Sequence, residues 1–209
     1  MSAASRAPQR STTRTRSRRA ALLTAGAAAA ALTLSACGSG GTSGGGGDTN
    51  FIMGQDGIAT VKKGERAEAP DLSGKTIAGK QLDVASYKGK VVVLNVWGSW
   101  CAPCRAEAPN FEKVYQDLKG KGVQFVGINT RDTSVNNALA FEKQQGVTYP
   151  SLYDPTGKLM LRFKKGTLNP QAIPSTLVLD RDGKIAARSL AALSEDKLRS
   201  MITPVLAEK

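Results

Sequence analysis

Two cysteines separated by two residues stand between an apolar run and a helical pattern. The apolar run is Val91–Trp97, and the motif W-C-A-P-C covers residues 100–104. Cysteines at this spacing can close a small disulfide ring and open it again. Cys101 would begin the helix, where unpaired N–H groups and the positive end of the helix dipole stabilise a thiolate. Because the thiolate is the species that attacks disulfides, the motif indicates thiol–disulfide exchange.

Other uses of such a cysteine pair fit the chain less well. A structural zinc site needs four cysteine or histidine ligands, and the chain has three cysteines and no histidine. Covalent haem attachment needs a histidine after the second cysteine, where this chain has Arg105. A permanent bridge or two packed cysteines stay open, although a strand-to-helix junction suits a redox pair better. We therefore expect no metal site and no cofactor.

The third cysteine, Cys37, has a separate explanation. Six arginines precede residue 20, and small and apolar residues follow over 20–34. This order is typical of an export signal, and about 15 apolar residues are short for a bilayer that needs roughly 20. The ending L-S-A-C resembles a bacterial lipobox, which implies that residues 1–36 are removed and Cys37 is acylated. An incidental cysteine or an uncleaved anchor is the alternative, and the export route stays open.

Loss of this leader changes the charge and the surroundings of the remaining chain. Without its six arginines the net charge falls from +12 to +6, which suits an anionic membrane surface or acidic partners. No basic-aromatic pattern suggests nucleic acid. Disulfides persist outside the cytosol, so we expect a lipid-anchored protein on the extracytoplasmic face of the bacterial membrane. Residues 37–50 are glycine-rich and should form a flexible tether.

Residues 51–209 have a globular composition and are long enough for one domain. Hydrophobic periodicity and turn signals predict its elements. In chain order these are strands at 76–77, 81–84, Val91–Trp97, 123–129, 176–179 and 184–188, and helices at 101–119, at Val135–Gln145 and after Ser194. The basic segment 158–170 is expected to be a solvated helix and loop, with partner docking as the alternative. The order predicts an α/β fold with a mixed central sheet, helices on both faces and an N-terminal β extension.

The stretch around the cysteine pair resembles a known family. Residues 89–109 read G-K-V-V-V-L-N-V-W-G-S-W-C-A-P-C-R-A-E-A-P, and the likeness begins at A-P-D-L, residues 69–72. They are similar to the TlpA/ResA-like thioredoxins, which are membrane-tethered bacterial thiol–disulfide oxidoreductases. Peroxiredoxins share the A-P-D and G-K elements but use a lone peroxidatic cysteine in another context. The resemblance implies a thioredoxin-like fold.

The resemblance also implies roles for residues at matching positions. Cys101 would be the exposed attacking thiolate, and Cys104 would be the more buried thiol that resolves the mixed disulfide. Trp100 would shield the sulfur pair and contact the partner. Pro174 would be the cis-proline that faces the dithiol, and Ile173 would present backbone groups to an incoming peptide.

A glutamate is the remaining candidate for the site. Thioredoxin has a buried aspartate where this chain has Asn95, and Glu107 matches the acid that ResA-like proteins place near the dithiol. A partly desolvated carboxylate there should have a raised pKa and could exchange protons with Cys104. The alternative is a solvated helix glutamate paired with a lysine or arginine.

Partners and direction of electron flow follow only from the resemblance. It implies reduction of protein disulfides such as those of apocytochrome c, with electrons from a membrane thiol carrier of the CcdA/DsbD type. A general reductase or isomerase for exported proteins and a disulfide-installing oxidant are the alternatives, which the A-P dipeptide between the cysteines does not separate. Copper delivery ranks last, since thioredoxin-fold proteins of that kind typically add a histidine and this chain has none.

Overall fold

The computed structural model describes residues 49–208. The expected signal peptide, the lipidation site Cys37 and nearly all of the tether lie outside these residues. Within them the fold is α/β, as predicted, with a seven-stranded mixed sheet of order β1-β2-β9-β8-β5-β6-β7 and a separate two-stranded sheet of β3 and β4. The strands are β1 Ile52–Met53, β2 Ala59–Thr60, β3 Ser73–Lys75, β4 Gln81–Asp83, β5 Val91–Trp97, β6 Val123–Thr130, β7 Ser151–Asp154, β8 Ser175–Leu179 and β9 Ile185–Ser189.

Strand β5 is the centre of the large sheet. All seven of its residues are buried, as the unbroken apolar run predicts for a strand covered on both faces. It pairs in parallel with β6 along its whole length and antiparallel with β8. The carboxyl ends of β5 and β6 therefore meet the amino end of β8 at one edge of the sheet.

Alternate residues of β5 face two different layers. Val91 and Val93 pack against the first α-helix, α1 Ala102–Leu118, and the third, α3 Glu195–Ala207. Trp97, on the same face, packs against the second helix, α2 Val135–Gln145. The opposite face is covered by the N-terminal extension and by two 3₁₀ helices, Val84–Tyr87 and Met160–Arg162.

The boundaries of α2 illustrate how local sequence fixes an element. Ser134 caps the helix by accepting a hydrogen bond from the N–H of Asn136, as its residue type predicts. Gly146 ends it in the left-handed region with φ of 70°, which glycine adopts without a steric penalty. Both ends were predicted and are confirmed.

Two parts of the secondary-structure prediction need correction. Thr76 is only an isolated bridge partner of Leu152, and Val84 begins a 3₁₀ helix, so the small hairpin is β3 and β4 instead. The basic segment 158–170 is not simply solvated surface, because its apolar side chains enter the core. These are Leu159, Met160, Phe163 and Leu168.

Candidate functional site

The dithiol lies where β5 passes into α1. Cys101 is the N-cap of α1, and its Sγ accepts a hydrogen bond from the N–H of Cys104 at 3.2 Å. The two sulfur atoms form a disulfide of 2.05 Å. Cys101 is 4% exposed and Cys104 1%. The order of exposure is the expected one, but the prediction of an exposed Cys101 is wrong for this disulfide form.

The opposite wall of the site is the segment leading into β8. The Ile173–Pro174 peptide bond is cis, as the sequence comparison with thioredoxins led us to expect. The antiparallel register pairs Ser175 with Val96, which brings this segment beside the end of β5. The carbonyl oxygen of Ile173 lies 3.9 Å from Cys101 Sγ.

Trp100 is an exposed part of the motif. Its side chain is 53% exposed, and the guanidinium of Arg131 lies 4.7 Å from its ring centroid. A Cβ atom at Gly98 would come within 2.8 Å of the indole Nε1 and 3.2 Å of the carbonyl oxygen of Thr130. Only glycine at 98 therefore lets the tryptophan fold back over the strand end.

Asp132 anchors the loop that carries Trp100. Its carboxylate accepts hydrogen bonds from the N–H of Ser99 at 2.9 Å, from the Ser99 hydroxyl and from Asn129 Nδ2 at 2.6 Å. Sequence reasoning missed this residue. The signal available was its position just after β6, since the carboxyl ends of adjacent parallel strands meet at one edge.

Glu107 is buried one helical turn beyond Cys104. It is 2% exposed, and its two oxygens accept hydrogen bonds from Asn95 Nδ2 at 2.9 Å and from the N–H of Leu193 at 3.0 Å. Burial raises the pKa of Glu107 to about 7, against the opposing effect of these two donors. The alternative of a solvated helix glutamate is excluded by this burial.

A second acid with a raised pKa lies on the other side of the site. Glu142 accepts a hydrogen bond from Ser151 Oγ at 2.7 Å, and Ser151 Oγ in turn accepts one from Trp97 Nε1 at 3.3 Å. Trp97 stacks on Phe141 with ring centroids 4.4 Å apart and belongs to the same buried cluster as both cysteines. Burial raises the pKa of Glu142 to about 7. No pattern in the sequence predicts this chain of contacts, which joins α2, β7 and β5.

Neither a metal-ligand cluster nor a membrane-spanning helix occurs among the described residues. Residues 49–208 contain no group of three or more histidine, cysteine, aspartate or glutamate side chains placed to hold a metal ion. Over that same range no helix is both long and apolar enough to cross a bilayer.

The chain is similar to a known family and to several known proteins. The AhpC/TSA family pattern matches residues 66–188. The thiol:disulfide interchange protein HelX of Rhodobacter capsulatus is 33% identical over 73% of this chain and 81% of its own length. Thiol-disulfide oxidoreductase ResA of Bacillus anthracis is 28% identical over 66% of this chain and 76% of its own.

A solved structure is also similar to this chain. A secreted thiol-disulfide isomerase from Corynebacterium glutamicum superposes with a TM-score of 0.69 and 31% identity, covering 78% of this chain and all of that one. This similarity supports a thioredoxin-like fold for the described residues. Because the family pattern spans more than half of the sequence, this chain belongs to the AhpC/TSA family as a thioredoxin-like thiol–disulfide oxidoreductase.

Proposed function

We propose that the chain is a lipid-anchored, extracytoplasmic reductant of protein disulfides. The observation that carries the proposal is the position of Cys101 at the N-cap of α1. Its Sγ accepts a hydrogen bond from the N–H of Cys104 and lies opposite the carbonyl oxygen of Ile173. Once the disulfide is reduced, the helix N-terminus stabilises the Cys101 thiolate.

The reaction is a two-electron exchange in two steps. The Cys101 thiolate attacks one sulfur of the partner disulfide, forms a mixed disulfide and expels the other partner sulfur as a thiolate. Cys104 then loses its proton and attacks Cys101 Sγ, which releases the second partner thiolate. The partner disulfide is reduced, and the Cys101–Cys104 disulfide seen here is the oxidised product.

Glu107 is proposed as the group that accepts the Cys104 proton. A carboxyl group with a pKa of about 7 can take and return a proton at neutral pH. Asn95 supports this role by donating to one of its oxygens. The proposal predicts that Glu107→Gln removes the inflection near pH 7 from the rate of mixed-disulfide release, measured by stopped flow.

Three further residues are proposed to hold the partner segment. Ile173 offers its carbonyl oxygen beside Cys101, Pro174 shapes that segment, and Trp100 supplies an exposed aromatic surface. A partner peptide lying extended along this wall would place its cysteine over Cys101. Aromatic surface of this kind contributes strongly to protein–protein contacts.

The likeness to TlpA/ResA-like thioredoxins supports apocytochrome c as the substrate and a CcdA/DsbD-type carrier as the electron donor. It also supports residues 1–36 as a signal peptide, Cys37 as the lipidated residue, 37–50 as the tether and 51–209 as the domain. Isomerase activity is the second candidate, favoured by the Corynebacterium glutamicum isomerase structure.

The reduction potential of the Cys101–Cys104 pair tests the direction of electron flow. We would equilibrate the full chain carrying Cys37→Ser with defined thiol buffers and follow tryptophan fluorescence. A value of about −250 mV or lower places the protein with reductants such as thioredoxin and supports the proposal. A value near about −120 mV places it with disulfide-installing oxidants and overturns it.

A further inference from the structure

Arg131 joins Trp100 to the Gln171–Pro174 segment, and we call the space between these two parts of the chain, beside Cys101, the dithiol cleft. Arg131 follows the last residue of β6, adopts a left-handed backbone conformation with φ of 60° and is exposed. Its guanidinium lies over Trp100 on one wall and reaches towards the carbonyl oxygen of Gln171, at 3.5 Å, on the other. Gln171 is two residues before Ile173, so the cation borders the path that an incoming segment takes to Cys101.

This positive charge has no carboxylate partner in the part of the chain that the structure describes. None of the ion pairs formed among residues 49–208 includes Arg131. The neighbouring Asp132 directs its carboxylate to Ser99 and Asn129 instead. Arg105, in the first turn of α1, likewise bonds to neutral groups, the Ser99 carbonyl oxygen and the Gln144 side chain.

We infer that Arg131 makes the cleft selective for protein segments that carry a carboxylate beside the reacting cysteine. A guanidinium that already has one face on an aromatic ring can still form paired hydrogen bonds to a carboxylate from its edge. A positive charge without a carboxylate partner among residues 49–208 also speeds the approach of acidic segments and slows basic ones. The occupant is thus an acidic, disulfide-bearing segment of a partner protein.

The inference rests on the proposed role of Cys101 as the attacking thiolate. It adds no chemical step, because the carboxylate only docks while the exchange proceeds as above. It concerns the rate of the first attack rather than the direction of electron flow. An oxidant or an isomerase with this cleft would show the same preference when its thiolate form meets a disulfide.

Three synthetic peptides test the inference. Each closes one disulfide and differs only in the residue beside the first cysteine, which is aspartate, asparagine or lysine. The reduced full chain carrying Cys37→Ser is mixed with each peptide, and the second-order rate is followed by fluorescence. We expect the aspartate peptide to react about tenfold faster than the lysine peptide at low salt. This ratio should be smaller at roughly 0.5 M salt, because salt screens exposed charges.

Two variants assign the preference to Arg131. Arg131→Gln should reduce the ratio to about threefold or less. Lys88→Gln removes an equal charge at the amino end of β5, roughly 20 Å of strand away from the dithiol, and should leave the ratio unchanged. The asparagine peptide reports the reactivity of the thiolate itself, so a preference is read only from the ratio of the charged peptides.

Each unfavourable result has a distinct meaning. Equal rates for the three peptides in the parent chain overturn the inference while leaving the proposed function intact. An aspartate-to-lysine rate ratio that is unchanged in Arg131→Gln also overturns the inference. So does an Arg131→Gln variant that slows all three peptides equally, because Arg131 would then act on the thiolate. A parent chain that reacts with none of the peptides overturns the proposed function together with the inference.

Discussion

The two ends of strand β5 treat carboxyl groups in opposite ways. At the dithiol end, the partners of Glu107 among the described residues are an amide and a backbone N–H, and burial raises its pKa to about 7. At the other end, Asp180 and Glu208 share the guanidinium of Arg66. Hydrogen bonding to Arg66 lowers the pKa of Glu208.

The difference shows how carboxyl groups serve two purposes in one domain. A carboxylate beside an arginine stays charged and ties distant parts of the chain together, here the N-terminal extension, the β8–β9 turn and the end of α3. A carboxyl group surrounded by neutral donors keeps its proton close to neutral pH. The chain has no histidine, so groups such as Glu107 are its means of proton exchange near pH 7.

Removing Arg66 should have the largest effect on stability. Its side chain is 5% exposed and that of Asp180 8%, so Arg66→Ala leaves a buried charge without compensation. We expect the free energy of unfolding to fall by about 3 kcal/mol at pH 7, measured by urea denaturation. Exchange activity per folded molecule should be unchanged, because the dithiol is at the opposite end of β5.

Arg199→Ala is the matched control for Arg66. Arg199 also pairs with two acids, Glu195 and Asp117, but on the exposed surface of the helices. Its loss should reduce the free energy of unfolding by about 1 kcal/mol or less. Equal losses in the two variants would contradict the importance given to the buried network.

Glu107 should make stability fall as the pH rises through neutrality. The folded chain binds this proton with a pKa of about 7, against 4.5 for an unperturbed glutamate. The free energy of unfolding is therefore greatest below pH 4.5 for this group and decreases up to pH 7, by about 3 kcal/mol in total. Glu107→Gln should remove this contribution and leave that of Glu142, whose pKa burial also raises to about 7, measured by urea denaturation between pH 4 and 8.

Glu195→Gln provides the control, since hydrogen bonding to Lys113 lowers the pKa of Glu195. Its pH dependence lies below pH 4.5, so the variant should keep the decrease between pH 4.5 and 7. If Glu107→Gln keeps the same decrease, the raised pKa of Glu107 is wrong.

Glu142 should change the surroundings of Trp97 within the same pH range. Deprotonation of Glu142 as the pH rises through about 7 alters the charge at the end of the Ser151 link to the indole. We expect a pH-dependent shift in Trp97 emission in a Trp100→Phe background, where Trp97 is the only tryptophan. Adding Glu142→Gln should abolish the shift, and a shift that persists would assign it to another group.

Glu208 should give the smallest effect and one of opposite sign to Glu107. Its lowered pKa means that its contribution is present above the unfolded pKa and is lost as the pH falls through the folded pKa. Glu208→Gln should reduce the free energy of unfolding by about 1 kcal/mol at pH 7, because the carboxylate is partly exposed. The difference from the parent chain should vanish in strong acid, and a difference that grows there would contradict the assignment.

Sequence patterns predicted an element correctly where one short segment contains all the residues that define it. The unbroken apolar run of β5 and the capped ends of α2 were both predicted at their observed positions. Strand β7 was missed because four residues, Ser151–Asp154, carry too little periodicity to distinguish a strand from a loop. Segment 158–170 was misread because its charges stand between side chains that the tertiary fold buries.

The residues of the candidate site also fall into those that the sequence predicts and those that it does not. The cysteine motif and Pro174 can be placed from sequence, since motif spacing and family likeness locate them. Arg131 and Glu142 could not be found, because their importance depends on contacts with Trp100 and Ser151 that lie far away in the chain. Propensity and periodicity describe neighbours in sequence, and these contacts exist only after the sheet has formed.

The full pairing of β5 with β6 and β8 also determines when the reactive cysteine can move. Amide hydrogens in a doubly paired central strand exchange with solvent only when the entire domain opens, whereas those of a short edge strand such as β1 exchange through local fraying. Cys101 lies four residues beyond the end of β5. We therefore expect heat or denaturant to leave the dithiol in its native position until the whole domain unfolds. Redox activity and the slow exchange of the core amides should then be lost together.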